Sequence, residues 1–257
     1  MKSVTDILNS FEPITLAEMD KAKLMDRTDT KFTFSEENLK KVLTEVKSDY
    51  RILEIENCRM STYQTLYYDT SDLSLYLKHH NGKLNRYKIR HRTYVESKLG
   101  FLEVKFKNNK GRTIKVRIKK QEVPKTWAED TSEFLSAKTP FNPEALVPNI
   151  WINYKRITLV NNANAERVTI DTELEFINKD FKKKMDNLVI AEVKQEKRVG
   201  SAFLAAMKKF RIREGSISKY CLGVALTNKE VKKNNFKEKI SSLNHIIYAG
   251  NHITANS

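Results

Sequence analysis

The chain has 257 residues, of which 40% are apolar, so it is long enough to build a substantial core. Lysine and arginine number 47 against 32 acidic residues, which gives a formal net charge of +15 and a sequence pI near 9.6. This balance favours an anionic partner: nucleic acid, an acidic membrane surface or a phosphorylated small molecule. The charge sum cannot choose among these classes, so the choice depends on where the cations lie.

The two cysteines, Cys58 and Cys221, lack the spacing of a metal site and do not suggest a disulfide framework, which predicts reduced thiols. No apolar run approaches the roughly 20 residues that a membrane-spanning helix needs. The N-terminus has no basic segment followed by a long apolar stretch, so no signal peptide is predicted. We therefore expect a soluble, cytoplasmic protein without a membrane span.

In chain order, residues 1–25 are expected to form a helical segment, 26–227 the main domain, and 228–257 a basic C-terminal helix and tail. Ser35, followed by acidic residues, predicts the start of a helix, and the apolar stripe over 201–210 predicts another. Elsewhere the apolar residues alternate with period two, which predicts an α+β protein dominated by one mainly antiparallel sheet. The predicted strands are 26–34, 51–57, 60–69, 84–95, 100–108, 111–121, 150–160, 165–177 and 188–197.

The predicted strand over 84–95 contains the most informative feature of the sequence. Arg86, Lys88, Arg90 and Arg92 occupy every second position. Because side chains alternate along a strand, all four cations share one face. Like charges along one face are unfavourable unless an anion neutralises them, so the stripe indicates binding of a polyanion.

Other predicted strands also have one apolar face and one charged face. An ordinary two-layer sheet with its charged face in water explains this alternation. A closed sheet explains it too, because the charged faces would then line a polar interior. The charged faces hold carboxylates among the cations, as a bound divalent metal requires, and Glu103 could instead pair with Lys105 or Arg117. The charged residues in question are Lys31, Glu103, Lys105, Lys115, Arg117, Arg167, Asp171, Glu173, Glu192 and Lys194.

Eight short motifs in this order, spread over about residues 24–224, carry a family resemblance. They are Arg27-Thr28-Asp29-Thr30-Lys31-Phe32, Tyr67-Tyr68-Asp69-Thr70, Arg86-Tyr87-Lys88-Ile89-Arg90-His91-Arg92, Phe101-Leu102-Glu103-Val104-Lys105, Tyr154-Lys155-Arg156, Arg167-Val168-Thr169-Ile170-Asp171, Ile190-Ala191-Glu192-Val193-Lys194 and Ser218-Lys219-Tyr220. Together they resemble the VTC domain, the polyphosphate polymerase module of the triphosphate tunnel metalloenzyme superfamily, in its stand-alone bacterial form.

The resemblance implies a closed, tunnel-like barrel of about eight antiparallel strands with a charged interior, flanked by helices. It also implies a Mn²⁺ or Mg²⁺ ion and transfer of the ATP γ-phosphate onto a growing polyphosphate chain. Arg90, Arg92, Lys219 and Glu192 would be catalytic, and Glu192, with Glu103, would bind the metal. The implied substrate-binding residues are Lys31, Arg90, Arg92, Lys105, Lys115, Arg117, Tyr154, Arg156, Arg167, Lys194, Ser218 and Lys219.

The first motif departs from the pattern of tunnel triphosphatases, which open with Glu-x-Glu-x-Lys. Here Arg27 stands in place of the first glutamate of that pattern, and Asp29 and Lys31 follow. The arginine removes a possible metal ligand and adds a phosphate ligand. This favours the polymerase branch over the hydrolase branch.

Two alternatives remain open. One is an inorganic or nucleoside triphosphatase of the same fold, because spacing alone does not distinguish attack by water from attack by phosphate. The other is a nucleic-acid or polyanion-binding module that uses the cationic rows. Against the second, we expect the aromatic residues to lie on the face opposite the cations, where they could not stack on bound bases. No nucleic-acid partner is therefore expected, and protein partners are not predicted.

Overall fold

The computed structural model describes residues 2–21 and 28–248. Its helices are α1 (Val4–Leu8), α2 (Leu16–Lys21), α3 (Glu36–Val46), α4 (Ser74–His80), α5 (Glu129–Lys138), α6 (Ala202–Lys209), α7 (Lys219–Thr227) and α8 (Lys237–Tyr248). Its strands are β1 (Glu12–Ile14), β2 (Thr28–Ser35), β3 (Tyr50–Leu53), β4 (Ser61–Asp69), β5 (Arg86–Tyr94), β6 (Leu99–Lys107), β7 (Thr113–Lys119), β8 (Val147–Asn161), β9 (Glu166–Ile177), β10 (Lys182–Met185), β11 (Leu188–Gln195) and β12 (Glu214–Gly215).

Serine caps begin four of the described helices, including α1 at Ser3. The Oγ atoms of Ser35, Ser201 and Ser218 each accept a hydrogen bond from the backbone N–H three residues later, at 3.3 Å in every case. Each bond satisfies one of the N–H groups that a helix leaves unpaired in its first turn. Local sequence therefore fixes where α3, α6 and α7 begin.

The strands form one sheet in the order β12-β2-β11-β9-β8-β4-β5-β6-β7, with β1, β3 and β10 attached at its side. All neighbours along this path are antiparallel. The predicted closed barrel is wrong, because the sheet is open. Its edges are β7 and the two-residue β12, and no pairing joins them in the part of the chain that the structure describes.

The apolar face of the sheet is covered by helices, as its alternation requires. Strands β2, β8, β9 and β11 pack their apolar side chains against α1, α3 and α6. Strands β4, β5 and β6 pack theirs against α5 and the segment around Leu146. We call this side the covered face. Its central residues, such as Leu43, Leu102 and Ile170, are fully buried.

The opposite face curls around α7. Side chains of β4, β8, β9 and β11 form one core cluster with Tyr220, Cys221, Leu222 and Val224 of that helix. The backbone of α7 lies so close to the sheet that a Cβ atom on Gly223 would be 2.7 Å from Phe176 Cδ1. Glycine is costly inside a helix, and here this close packing explains it. Helix α7 therefore fills one end of the curled sheet.

The chain ends pack onto the same body. Strand β1 pairs in parallel with β3, so the predicted helical N-terminal segment also contains a short strand. Leu243 of α8 is buried in the core cluster around α7, and α8 contacts β2 and β11. Among the described residues, no helix combines the length and the apolar character needed to cross a membrane.

Candidate phosphate-binding site

The charged side chains of the sheet lie on its inner, curled face, in the part that α7 leaves unfilled. We call this surface the cationic trough. It comprises Lys31, Lys88, Arg90, Arg92, Glu103, Lys105, Arg156, Asp171, Glu192, Lys194 and Lys219. Arg27 was also predicted to share this face, but it lies outside the described residues.

Asp171 on β9 joins two cations that the motifs predicted as phosphate ligands. Its carboxylate accepts hydrogen bonds from Arg156 Nε at 2.6 Å and Nη2 at 2.8 Å, and from Lys219 Nζ. The Asp171 side chain is only 3% exposed. Although burial opposes ionisation, Arg156 and Lys219 hold the pKa of this carboxyl well below its usual value. Asp171 is thus an internal anion that orients both cations.

Arg90 on β5 forms a similar cluster with the next strand. Its Nε and Nη2 atoms donate to Glu103 Oε2 at 2.6 Å, and Nη1 donates to the Tyr67 hydroxyl at 3.0 Å. Glu103 was expected to pair with Lys105 or Arg117; its hydrogen-bonded partner is instead Arg90 on β5, while Arg117 lies opposite it on β7 and helps to lower its pKa. Burial opposes the effect, but Arg90 and nearby Arg92 lower the pKa of Glu103.

Glu192 on β11 lies between two lysines. Lys31 Nζ is 3.2 Å from its Oε1 and Lys194 Nζ is 3.2 Å from its Oε2. These cations lower the pKa of Glu192 against the effect of burial. Burial in turn lowers the pKa of Lys194 to about 8, even though Glu192 opposes that shift.

The remaining predicted residues line the far wall and the edges. Lys105 lies opposite Lys115 of the edge strand β7, and burial together with nearby lysines lowers its pKa to about 7. Glu192 raises the pKa of the same amine, although four strands lie between β6 and β11 in the sheet. In a flat sheet such strands would lie about 24 Å apart, so this coupling reflects the curl. Arg117 lies 4.3 Å over the Phe101 ring, and Arg167 contacts Met19 of α2.

The carboxylates of the trough do not form a ready-made metal centre. No group of three or more histidine, cysteine or acidic side chains converges within residues 2–21 and 28–248. The metal role of Glu103, whose Oε2 accepts from Arg90, stays a prediction. Glu192 fits a Mg²⁺ or Mn²⁺ ion that takes one carboxylate from the protein and its other ligands from phosphate and water.

The expectation that the aromatic residues lie opposite the cations holds for Tyr87, which packs on the covered face, but is wrong for Tyr63, Tyr67 and Tyr154. The guanidinium carbon of Arg156 is 4.8 Å from the Tyr63 ring centroid and 5.2 Å from that of Tyr154. Arg92 lies 5.4 Å from Tyr63, and Arg90 lies 5.8 Å from Tyr67. These tyrosines are at most 8% exposed. They support the cations from beneath and are not available to stack on nucleic-acid bases.

Two trough residues were absent from the predicted set of ligands. Lys88 Nζ donates to Ser218 Oγ at 2.8 Å, which ties β5 to the start of α7. Asp171 was noted only as one acid among several. Lys88 has the same strand parity as Arg90, and that signal was sufficient to find it. The partners of Asp171 come from β8 and α7, so only the fold reveals its role.

Comparison with solved structures gives the class of the fold. A Hippeastrum protein, HpAC1, described as a candidate adenylyl cyclase with a dominant triphosphatase activity, aligns with a TM-score of 0.51 and 12% identity, covering 78% of this chain and 96% of its own. A candidate adenylate cyclase from Vibrio parahaemolyticus aligns at 0.45 and 13%, covering 77% and 99%. One from Bacillus halodurans aligns at 0.45 and 14%, covering 76% and 96%. The alignment with the Hippeastrum protein shows that the two chains share a fold.

The sequence comparisons identify the family within this class. The VTC domain family matches residues 26–228, and the chain belongs to it. The resemblance drawn from the eight motifs is therefore confirmed. No curated protein matches the chain.

Proposed function

We propose that this protein is a polyphosphate polymerase that transfers the γ-phosphate of ATP onto a polyphosphate chain, with Mn²⁺ or Mg²⁺. The observation that carries the proposal is the set of arginines and lysines that converge in the trough, several of them oriented by internal carboxylates. Membership of the VTC domain family supports the same activity. The triphosphatase activity named for the Hippeastrum protein supports a triphosphate as the substrate.

Phosphoryl transfer requires mainly positioning and charge neutralisation from a protein. Asp171 engages Nε and Nη2 of Arg156, so Nη1 can donate to a phosphate oxygen. Arg90 and Arg92 extend the same row along β5. A triphosphate lying on these cations would take over part of the charge balance that the internal carboxylates supply. Arginine suits this task because its fork of donors matches the geometry of phosphate.

Glu192 is the residue that would hold the metal ion, since its side chain is 22% exposed and its carboxylate is paired with two lysines at 3.2 Å. When bound, the ion would supply further neutralisation of charge on the phosphate oxygens. Lys31 and Lys194 would then be released to bind phosphate. Glu103 stays with Arg90 and orients it.

The carboxylates of the trough are poor bases for activating water, although the amine of Lys105, with its pKa lowered to about 7, lies near the working pH. Activation of water requires a base whose pKa lies near the working pH. The neighbouring cations instead lower the pKa of Asp171, Glu192 and Glu103, which makes all three weak bases. The terminal phosphate of an acceptor chain is already ionised and needs no base. A triphosphatase remains the second candidate because it would use the same cations.

The direct test is incubation of the protein with ATP and Mn²⁺, with products resolved by gel electrophoresis and by a free-phosphate assay. Polyphosphate of increasing length supports the proposal. Release of free phosphate as the main product would establish the triphosphatase instead. If neither product forms while tripolyphosphate still binds, the protein has a binding role.

Substitution of Glu192→Gln tests the proposed metal ligand. The amide keeps the shape of the side chain but loses its charge, so we expect metal-dependent turnover to fall about 100-fold or more, as when one charge-stabilising group is lost. The rate is measured as a function of Mn²⁺ concentration.

Glu45→Gln is the matched control, because Glu45 pairs with Lys209 on exposed helices of the covered face. Its turnover and its Mn²⁺ dependence should equal those of the wild type. Equal activity of both variants would remove Glu192 from the site.

A further inference from the structure

A second buried carboxylate, Asp69, lies at the end of β4 and is not one of the trough acids. Its side chain is fully buried. Oδ1 accepts from the backbone N–H of Thr70 at 2.7 Å and of Leu75 at 2.8 Å, and Oδ2 accepts from that of Tyr76 at 2.9 Å. The cap residue of α4 makes no side-chain cap, so Asp69 caps this helix from a distance.

The fourth partner of Asp69 comes from α7. The Tyr220 hydroxyl donates to Oδ2, and the Tyr220 side chain is only 2% exposed. No cation contacts this carboxylate in the hydrogen bonds and ion pairs of the described residues. Burial accordingly raises the pKa of Asp69, against the effect of its hydrogen bonds. The contact joins two elements that are 151 residues apart in sequence.

Tyr220 lies between this carboxylate and the trough. Its ring stacks on that of Tyr67, with centroids 5.0 Å apart, and the Tyr67 hydroxyl accepts from Arg90. Tyr220 directly follows Lys219, which contacts Asp171, and Ser218, which contacts Lys88. The Tyr220 ring thus contacts Tyr67, which supports Arg90. Through the backbone, Tyr220 also sets the position of Ser218 and Lys219, two predicted phosphate ligands.

We propose that Asp69 and Tyr220 are positioning residues that lock α7 against β4, so that Ser218, Lys219 and Arg90 meet a bound phosphate chain in one fixed arrangement. This inference rests on the proposed function, since it assumes that the trough binds phosphates. The hydroxyl–carboxylate bond fixes the first turn of α7. Packing of Gly223 on Phe176 fixes its next turn. Without the bond, Lys219 and Ser218 would sample several positions, and binding would bear the cost of ordering them.

Tyr220→Phe tests the inference because it removes the hydroxyl and keeps the stacked ring. The chain offers a matched control in Tyr50→Phe. Tyr50 is also buried, its hydroxyl donates to the buried carboxylate of Glu166, and it accepts from the N–H of Phe203 on the covered face. Both variants lose the same kind of bond, and we expect similar decreases in melting temperature.

Affinity for inorganic tripolyphosphate, measured by isothermal titration calorimetry well below both melting temperatures, separates the two variants. We expect the dissociation constant to rise about tenfold in Tyr220→Phe, which corresponds to the cost of ordering one or two side chains on binding. It should stay within about twofold of the wild type in Tyr50→Phe. In turnover assays, Tyr220→Phe should raise KM with a much smaller change in kcat, because the bound complex can still reach the wild-type arrangement.

Equal affinities in Tyr220→Phe and the wild type would overturn the positioning role and leave the proposed function intact. Equal weakening in both variants would also overturn it, because a general loss of stability would then explain the effect. Failure of the wild type to bind tripolyphosphate would overturn the proposed function together with this inference. If Tyr220→Phe does not fold, Asp69→Asn takes its place: it replaces the charged acceptor with a neutral one and should weaken binding in the same direction.

Discussion

The two faces of the same strands are stabilised in different ways, one by apolar packing and the other by pairing of charges. On the covered face, residues such as Leu102 and Ile170 are removed from water by helices and need no ligand. On the trough face, cations outnumber carboxylates, and only part of the positive charge is balanced internally. The packed covered face keeps the strands rigid, and these rigid strands hold the unbalanced row of cations in place. Stability and phosphate affinity should therefore separate by face.

Arg156→Ala should give the largest effect, and it should reduce both stability and phosphate affinity although it changes only the trough face. It leaves Asp171 buried with Lys219 as its remaining cation, so we expect a loss of about 3–5 kcal/mol in the free energy of unfolding. Tripolyphosphate affinity should fall as well. Denaturant titration and calorimetry measure the two quantities.

The pH dependence of stability provides a further check on Arg156→Ala. Arg156 lowers the pKa of Asp171, so the stability it supplies is present above the ordinary carboxyl value of 3.8 and is lost as pH falls through the native pKa. The difference between wild type and Arg156→Ala should thus shrink below pH 3.8. A difference that stays constant down to the acid limit would show that the Asp171 pair is not its source.

Leu102→Ala should give the next largest effect, and only on stability. Leu102 lies on β6 beside Glu103 in sequence, but its side chain points to the covered face and is fully buried. Removal of its methine carbon and two methyl carbons should lower the free energy of unfolding by about 2–5 kcal/mol. Tripolyphosphate affinity, measured at a temperature where the variant is folded, should be unchanged. Weakened binding would show that the two faces are coupled through β6.

Alternation in the sequence was sufficient to find nine strands and to sort their charged side chains, but it missed the short strands β1, β10 and β12. The row from Arg86 to Arg92 was predicted as one face of a strand, and β5 spans those residues. Closure was not predictable in this way, because alternation says which side chains share a face and nothing about whether two edge strands pair. The partner of β7 would have to be β2 or β12, and β12 has only two residues. Whether the edge strands pair depends on the register of distant strands, and the local sequence does not determine that register.

The inner filling of the sheet was also missed, for a related reason. Strand β4 carries no charge from Tyr63 to Tyr68, so its faces could not be assigned from alternation of charged residues. Around α7, only Ser218-Lys219-Tyr220 was recognised, as a motif, and no helix was predicted over Lys219–Thr227. This helix shows no strong amphipathic pattern because it is buried almost all round. A helix of that kind can be recognised only when the sheet that encloses it is known. The Asp69–Tyr220 contact depends on both elements.

The smallest effect is expected for Lys182→Gln, which separates the effect of total charge on phosphate binding from the effect of the position of a charge. Lys182 on β10 pairs with Glu175 at 3.0 Å, and its side chain is 59% exposed. An exposed pair of this kind contributes about 0–1 kcal/mol, so stability should hardly change. The matched variant Lys219→Gln removes the same charge from the trough. If position determines phosphate binding, Lys219→Gln weakens tripolyphosphate affinity strongly and Lys182→Gln leaves it unchanged in moderate salt. If both weaken it equally, the net positive charge of the whole protein, and not the trough, attracts the phosphate.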